Sequence, residues 1–314
     1  MIDTAGEPMH VALTPWLDIA TQGVARFEAF LLPAIEQALS PIDAAGDPDI
    51  RVALALGLPS PRPGLPADLE PQLRRSITSQ FPERFDAIAT FDAGHAAGLV
   101  AMRAALARLS AGAFEACVVA GVESYLMPAS LAWLEEQDQF HGAGKLNNAW
   151  GFVPGEGAGA VLVALDAAVE SLRVEPLARI LSVATAFEAN RIKTQTVCVG
   201  EGLTAAFREA LAALPPGARV TDMFCDLNGE PYRADEFGFA CLRTRGAFES
   251  VSDFVAPADC WGDVSAASAP LALTLATIAA VKAYAKGTYA FIWASSEGGE
   301  RGAALLELPA YQRD

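Results

Sequence analysis

The chain has 314 residues, of which 52% are apolar, and its 38 acidic and 22 basic residues give a net charge of -16. This length and apolar content can build one large core or two of ordinary size. The negative charge argues against nucleic acid and anionic membranes as partners, and it would repel an acidic carrier protein at long range. No apolar run approaches the roughly 20 residues of a membrane span, and no secretion pattern opens the chain, so we expect a cytoplasmic protein.

Two helices and two strands are predicted in the first part of the chain. The apolar spacing indicates a helix over 27–39 that ends at Pro41, a strand over 50–56, a helix over 69–80 and a strand over 85–90. A proline-rich excursion joins the first strand to the second helix, and a surface loop is what so many prolines favour.

A tight turn follows the second strand. Gly94 and His95 stand there, before a predicted helix over 99–109 and a buried strand over 116–122. Unpaired N–H groups and the dipole of a helix N-terminus favour an anion and would activate a cysteine in such a turn. Here the residue is His95, beside small residues that allow the helix to pack close to a neighbour.

A glycine-rich turn marks the end of the first half. After an irregular, aromatic stretch over 126–151, the run Gly155-Glu156-Gly157-Ala158-Gly159 leads into a strand that ends at Leu165. A phosphate-binding loop should open a helix and be followed by Lys and Ser or Thr. This run opens a strand without those residues, so we exclude a nucleotide site.

Strands and helices continue to alternate in the second half. Strands are predicted over 174–186, 223–226, 289–295 and 302–308, and helices over 202–214, 233–243 and 260–286, the last being the longest. The five cysteines are scattered, without CxxC spacing, and are interpreted as buried reduced thiols: Cys117, Cys198, Cys225, Cys241 and Cys260. With neither CxxC nor an HExxH pair, we expect no metal and no cofactor.

The order of elements indicates an internal duplication. Gly94-His95 and Gly262-Asp263 each open a helix that ends at a glycine before a strand. Each strand is followed by a turn and a second strand that begins Gly-Ala, at Gly159 in the first half and Gly302 in the second. Two such halves facing each other bring the starts of their central helices together, so we expect His95 and Asp263 to be near neighbours.

These motifs resemble a known family. His95-Ala96-Ala97-Gly98 resembles the nucleophile turn of the β-ketoacyl synthases of the thiolase superfamily, which have Cys-Ala-Ala-Gly there. Gly155-Glu156-Gly157-Ala158-Gly159 resembles a loop that lines the back of their active site. The resemblance covers about residues 50–308 and implies an α/β, thiolase-like fold. Two duplicated mixed-sheet halves, 1–168 and 169–314, would then form one structural unit with α-β-α-β-α layers.

The beginning of the chain departs from the family. Ketosynthases begin with an apolar strand and a glycine-rich turn, and residues 1–26 match neither. Either that strand has been lost, or the sequence starts at an internal methionine. In the second case, we expect a central sheet that is one strand short.

The resemblance also places the catalytic positions. The family's cysteine and two histidines fall on His95, Asn228 and Asp263, its lysine on Ala258 and its gating phenylalanine on Glu297. Claisen condensation needs a thiolate for the acyl group and two donors for the enolate. Asn228 can donate a hydrogen bond, but an ionised Asp263 would repel the enolate.

Three classes of function stay open. A non-condensing homologue of fatty-acid or polyketide-type biosynthesis would pair with an active ketosynthase, with an acyl carrier protein as a further partner. A thioester hydrolase or acyltransferase would use a His95–Asp263 dyad, in which Asp263 orients the imidazole that activates water. A self-paired scaffold or acyl-binding protein needs no chemistry. The resemblance implies a homodimer or heterodimer, with the strand over 116–122 as the edge that pairs across a twofold axis, because that strand is too apolar to be left open.

Overall fold

Within residues 2–45, 50–143 and 147–309, which this computed structural model describes, the strands form two four-stranded sheets. The strand orders are β2-β1-β3-β4 and β5-β8-β7-β6. The strands are β1 (Val52–Gly57), β2 (Ala87–Phe91), β3 (Ala116–Ser124), β4 (Glu156–Ala164), β5 (Arg179–Phe187), β6 (Asp222–Cys225), β7 (Tyr289–Ser295) and β8 (Glu300–Glu307). The pairs β3–β4 and β7–β8 are antiparallel. Next to them, the pairs β1–β3 and β6–β7 are parallel.

The helices lie outside and between these sheets. They are α1 (Val24–Ala45), α2 (Leu69–Gln80), α3 (Ala97–Ser110), α4 (Pro128–Glu136), α5 (Asp166–Leu172), α6 (Glu201–Leu211), α7 (Pro231–Thr244), α8 (Ala258–Trp261) and α9 (Ser268–Val281). Among the described residues, no helix combines the length and the apolar character that crossing a membrane requires.

Three apolar clusters define five layers. One cluster joins α1 and α2 to the outer face of the first sheet, and another joins α6 and α7 to the outer face of the second. The third lies between the sheets and contains side chains of α3 and α9. The thiolase-like α-β-α-β-α arrangement is therefore confirmed, with both alanine-rich central helices packed between the sheets.

Small residues allow the central helices to approach each other. A Cβ atom on Gly98 of α3 would lie 2.5 Å from Cδ of Pro270 in α9. A Cβ atom on Gly121 of β3 would lie 2.1 Å from the carbonyl oxygen of Ala266. Both distances are shorter than any ordinary contact, so glycine is required at each position.

Two predicted helices have the wrong bounds. Helix α1 does not end at Pro41 but continues to Ala45 with two prolines inside it. The cost of a proline in a helix is offset because Phe27, Leu31 and Ile35 are fully buried against the sheet. The predicted helix over 260–286 is broken near its start by Gly262 and stops at Val281, and Ala283 beyond it is left-handed with φ of +56°. The longest described helix is α1, with 22 residues.

The prediction that the strand over 116–122 is a sheet edge is also wrong. This strand, β3, pairs with β1 on one side and β4 on the other, and all its residues are buried. Its continuous apolar run reflects coverage on both faces and both edges. The stretch over 126–151, predicted as irregular, contains α4, although residues 144–146 lie outside the described ranges.

Candidate functional site

His95 lies in a short 3-10 turn, Gly94–Ala96, between β2 and α3. Gly94 has φ of +56°, a conformation that favours glycine. The turn is held from the second sheet, where the Ser296 hydroxyl accepts a hydrogen bond from the Ala96 N–H at 2.8 Å and donates one to the Ala93 carbonyl. His95 is therefore placed beside the N-terminus of α3, as the sequence predicts.

Asp263 occupies the matching place in the second half. Its carboxylate contacts His95 Nε2 with Oδ1 at 2.9 Å and Oδ2 at 2.8 Å, and both side chains are buried. An ionised carboxylate has no hydrogen to donate. The hydrogen in this contact is therefore carried by Nε2 of His95. The expected proximity of His95 and Asp263 is confirmed.

Backbone hydrogen bonds at the start of the glycine-rich turn hold the backbone of Asp263 in place. The Asp263 N–H donates to the Val153 carbonyl at 2.8 Å, and the Gly155 N–H donates to the Asp263 carbonyl at 2.9 Å. A Cβ atom on Gly155 would lie 2.4 Å from the Trp261 carbonyl oxygen. This turn therefore supports the site through its backbone.

Asn228, in the loop that follows β6, completes the predicted trio. Its Nδ2 donates to Asp263 Oδ2 at 2.6 Å and to Glu230 Oε2 at 3.1 Å. Its Oδ1 accepts the Glu230 N–H at 3.1 Å. The structure thus brings His95, Asn228 and Asp263 into one buried cluster, whereas Ala258 lies in α8 on the other side of Gly262.

Arg233, at the start of α7, is the cation of this cluster. Its NH2 lies 3.4 Å from both ring nitrogens of His95. Its NH1 donates to the Ser295 carbonyl at 2.7 Å and lies 3.3 Å from Asp226 Oδ2, and its Nε donates to Glu230 at 3.1 Å. Arg233 is only 1% exposed. Arg233 therefore approaches both nitrogens of the imidazole, including the Nε2 that Asp263 contacts.

A second polar group separates this cluster from solvent. Lys193 Nζ lies 2.9 Å from Glu297 and 3.2 Å from Glu230. Gln139 Nε2 donates to Glu297 at 2.9 Å and to Glu230 at 3.2 Å. The Tyr232 hydroxyl also donates to Glu230. Glu297, the position that the resemblance gives to the gating phenylalanine, is the half-exposed end of this network.

The buried charges shift one another's pKa values. Burial disfavours the ionised form of Asp263, but the charge and hydrogen bond of His95, with Arg233 and Asn228, outweigh it and hold the Asp263 pKa well below its ordinary value. Burial raises the pKa of Asp226, and the charges of Arg233 and His95 offset this only in part.

Glu230 behaves like Asp263. Burial acts to raise its pKa, but the charges of Arg233 and Lys193 outweigh this, and the Glu230 pKa lies below its ordinary value. Asp263 and Glu230 are therefore carboxylates that stabilise the folded chain when ionised.

Neither Cys225 nor Cys260 supplies a nucleophile inside the buried cluster. Cys225 borders a void of about 10 Å³ that Asp263 also lines, and burial raises the Cys225 pKa far above its ordinary value. A void of this size admits about one water molecule. Cys260 is exposed on α8 and is not part of the buried cluster. The arrangement can hold a proton between His95 and Asp263, but it offers no thiolate for an acyl group.

One further set of side chains has the composition of a metal site. Among the described residues, ligand atoms of Glu188, Cys198 and Glu236 lie within 4.8 Å of one another. However, the Glu188 oxygens accept backbone N–H groups of Asn190 and Gly202, and Arg301 Nε donates to Glu236 at 2.6 Å. These contacts account for the set as a structural network, and we assign no metal to it.

Sequence reasoning did not identify Arg233, Asp226 or Glu230 as site residues. Their signal lies in the spacing, because an acidic residue directly follows β6, an Asn comes two residues later, and a Glu and an Arg flank the start of the next helix. Asp226 Oδ1 has no hydrogen-bond partner among the described residues.

The comparisons agree with this architecture. Residues 87–168, which include His95 but not Asn228 or Asp263, match the model of the β-ketoacyl synthase N-terminal domain. No curated protein matches the chain in sequence.

Solved ketosynthase structures match over most of the chain. The ketosynthase from module 6 of the bacillaene synthase of Bacillus subtilis 168 is 15% identical, with a TM-score of 0.69 over 92% of this chain and 60% of its own. The ishigamide ketosynthase/chain length factor is 20% identical, with a TM-score of 0.66 over 95% and 87%. A type II polyketide ketosynthase in complex with its acyl carrier protein, AntDE:AntF, is 14% identical, with a TM-score of 0.72 over 90% and 85%.

The chain spans about three fifths of the length of the bacillaene ketosynthase, with 60% of it covered. At these identities the matches show the fold. The chain thus has the thiolase-like fold of the ketosynthases, and it resembles the β-ketoacyl synthases most directly in the segment 87–168, which contains His95.

Proposed function

We propose that this chain is a non-condensing ketosynthase homologue of polyketide or fatty-acid-type biosynthesis, which acts as a partner or acyl-binding subunit. The observation that carries the proposal is the closure of the site around His95. This residue stands where the resemblance places the family's cysteine, and Asp263 and Arg233 occupy the surroundings of its ring.

This cluster is poorly suited to catalysing condensation. A condensing site takes an acyl group on a thiolate and stabilises an enolate with two donors. Here Asp263 stands where the resemblance places one of the family's two histidines, and its lowered pKa keeps it an ionised carboxylate, which cannot donate a hydrogen bond. Asn228 has its amide group committed to Asp263 and Glu230.

The relatives support a partner role. The ishigamide protein is a ketosynthase/chain length factor, and the AntDE:AntF structure is a ketosynthase complex with an acyl carrier protein. A chain that keeps the fold while its site is closed suits the role of a subunit that pairs with an active ketosynthase. With a net charge of -16, it would bind an acidic carrier only where a basic partner surface contributes.

The His95–Asp263 contact favours a second candidate, a thioester hydrolase or acyltransferase. A carboxylate that orients an imidazole is the basis of a catalytic dyad. The imidazole of such a dyad must reach water or substrate with its second nitrogen. In this structure Arg233 NH2 is 3.4 Å from Nδ1, so this second candidate requires Arg233 to move.

The test uses purified protein with acetyl, octanoyl and malonyl thioesters of N-acetylcysteamine. We expect no ketoacyl product from the wild-type chain and no thiol release above that of His95→Ala. Ketoacyl product from the wild type would contradict the proposal. Thiol release lost in both His95→Ala and Asp263→Ala would establish the hydrolase instead.

The partner role has its own test. When this protein is mixed with a purified type II ketosynthase, sedimentation should show a complex of the two. If it pairs with none of the ketosynthases tested, the acyl-binding role is left, and titration with octanoyl thioester measures that binding. Failure of both binding measurements would contradict the proposal.

A further inference from the structure

Asp226 is a buried carboxyl group that the proposed function leaves without a role. It directly follows β6 and is 6% exposed. Its Oδ2 accepts the Ser295 N–H at 2.8 Å and lies 3.3 Å from NH1 of Arg233. Its Oδ1 has no hydrogen-bond partner among the residues that the structure describes. The two oxygens of this carboxyl group therefore have different surroundings.

The carboxyl group of Asp263 differs in this respect. Its Oδ1 accepts the Ser265 N–H at 2.8 Å, its Oδ2 accepts Asn228 Nδ2 at 2.6 Å, and both oxygens contact His95. Each oxygen of Asp263 thus acts as an acceptor, which is the role of an ionised carboxylate. In Asp226 only Oδ2 has this role. A neutral acid has the same asymmetry, because one oxygen accepts and the other carries a hydrogen.

The charge of Arg233 is shared among several acids. This buried guanidinium interacts electrostatically with three buried carboxyl groups, those of Asp226, Glu230 and Asp263. Its shortest bond, at 2.7 Å, goes to the neutral carbonyl of Ser295. Its contact with Asp226, at 3.3 Å, is longer than its contact with Glu230, at 3.1 Å. A buried charge without full compensation is costly, and uptake of a proton removes that cost.

Other elements bring further groups near Asp226. The charge of His95, in the turn before α3, favours the ionised form of Asp226, and Asp263 disfavours it. Cys225 precedes Asp226 in the chain, and burial raises the pKa of its thiol. Asp259 of α8 is exposed. Burial of Asp226 has the largest effect, so its pKa lies above the ordinary value.

We propose that Asp226 is held as a neutral carboxylic acid in the closed site, and that its ionisation loosens the site as pH rises. Because this is regulation of the closed site, it rests on the proposed function. Oδ2 remains an acceptor, and Oδ1 carries the hydrogen. Asp226 and Asp263 line the same void of about 10 Å³, and one water molecule there can accept that hydrogen. Lys193 lies 3.2 Å from Glu230, so loss of the proton leaves Arg233 to compensate both aspartates.

The sign of the pH dependence tests the proposal. Asp226→Asn imitates the neutral acid at every pH, because its amide also has one acceptor oxygen and one group that carries hydrogen. Since the folded pKa of Asp226 is raised, its contribution to stability is full below the unfolded value of about 3.9 and is lost as pH rises through the folded value. The urea midpoint of Asp226→Asn should therefore match that of the wild type at pH 4 and exceed it at pH 8. Asp253→Asn, at a half-exposed pair, is the control and should show no such gain.

Loosening of the site is measured by hydrogen exchange. A peptide that covers 262–267 contains the N–H groups of Asp263 and Ser265, which are both hydrogen-bonded in the folded chain. Its exchange rate in the wild type, divided by that in Asp226→Asn, should rise with pH. The rise should reach up to about tenfold per pH unit between the unfolded and folded pKa values of Asp226. The ratio cancels the intrinsic pH dependence of exchange.

A direct measurement of the proton uses wild-type protein labelled with [4-13C]aspartate. The carboxyl signal of Asp226, assigned through its backbone, should titrate above about 3.9, and that of Asp263 below it.

Four results would overturn the proposal. They are an Asp226 signal that titrates at or below about 3.9, a urea midpoint of Asp226→Asn that falls below the wild type as pH rises, failure of this isosteric variant to fold, and an exchange ratio that does not change with pH. None of these measurements uses a thioester or a ketosynthase, so their failure is distinguishable from failure of the proposed function.

Discussion

Both carboxylate oxygens of Asp263 contact Nε2 of His95, at 2.9 and 2.8 Å, although 168 residues separate the two along the chain. Each residue precedes the central helix of its own half, so this contact joins the two halves at the centre of the molecule. Asn228 and Arg233 surround the pair. The cluster should therefore contribute to stability as well as define the site.

Removal of the Asp263 carboxylate should destabilise the fold. In Asp263→Ala, His95, Asn228 and the Ser265 N–H all lose a hydrogen-bond partner, and Arg233 loses a neighbouring negative charge. Breaking a buried charged pair costs about 3–5 kcal/mol, so we expect a loss of about that size in urea unfolding. Asp253→Ala is the control, because its pair with Lys286 is about half-exposed and should change stability by less than about 0.5 kcal/mol. Equal effects of the two variants would contradict this reading.

Stability should fall at acid pH in a way that depends on Asp263. Its pKa is lowered in the folded chain, so its contribution is fully present above the unfolded pKa of about 3.9 and is lost as pH falls below it. The free energy of unfolding should therefore differ most between wild type and Asp263→Asn at pH 5 and above. The difference should shrink at pH 4 and pH 3. A difference that stays constant over this range would show that Asp263 is not ionised in the folded chain.

Close packing of α3 against α9 should be sensitive to one methyl group. In Gly98→Ala the new Cβ atom would meet Pro270 at 2.5 Å, and such overpacking costs about 1–3 kcal/mol. Gly238→Ala provides a matched control, since Gly238 lies inside α7 with nothing within 4 Å of a Cβ atom. It should stabilise the chain by up to about 1 kcal/mol because alanine favours helix. Thermal unfolding of both variants measures the contrast. A change in stability of the same sign in both variants would refute it.

The thiols should differ sharply in reactivity. Cys260 is exposed, whereas burial raises the pKa of Cys117 and Cys241 to about 12. Native protein treated with a thiol-specific disulfide reagent should therefore show one fast thiol and a slower one at half-buried Cys198. All five should react after unfolding. Cys260→Ser should remove the fast phase, and a fast phase that persists in this variant would mean that an interior thiol is accessible.

The sequence predicted the elements that depend on local pattern. The turn at His95, the duplicated helix starts and the contact with Asp263 all follow from motifs that repeat along the chain, and the structure confirms them. Boundaries set by tertiary packing were predicted less well. Helix α1 passes through Pro41 because its apolar face is buried on the sheet, which proline statistics do not anticipate.

Two other features required the assembled fold. An apolar run such as β3 has the same appearance in a central strand and in an edge that a partner covers, so only the sheet order separates the two. Arg233 reaches His95 because α7 packs beside β7, where the Ser295 carbonyl anchors the guanidinium. Nothing in the local sequence places an arginine of one helix against a histidine 138 residues away.

The most direct test of the closed site is the mass of the intact protein after incubation with octanoyl thioester. We predict that the 32.9 kDa chain acquires no octanoyl group on the segment around His95, and that His95→Cys alone yields no ketoacyl product when malonyl thioester is added. Cys260→Ser serves as the background, so that adventitious acylation of the exposed thiol is removed. An octanoyl adduct on His95 in that background, or ketoacyl product from the otherwise unaltered chain, would contradict the account.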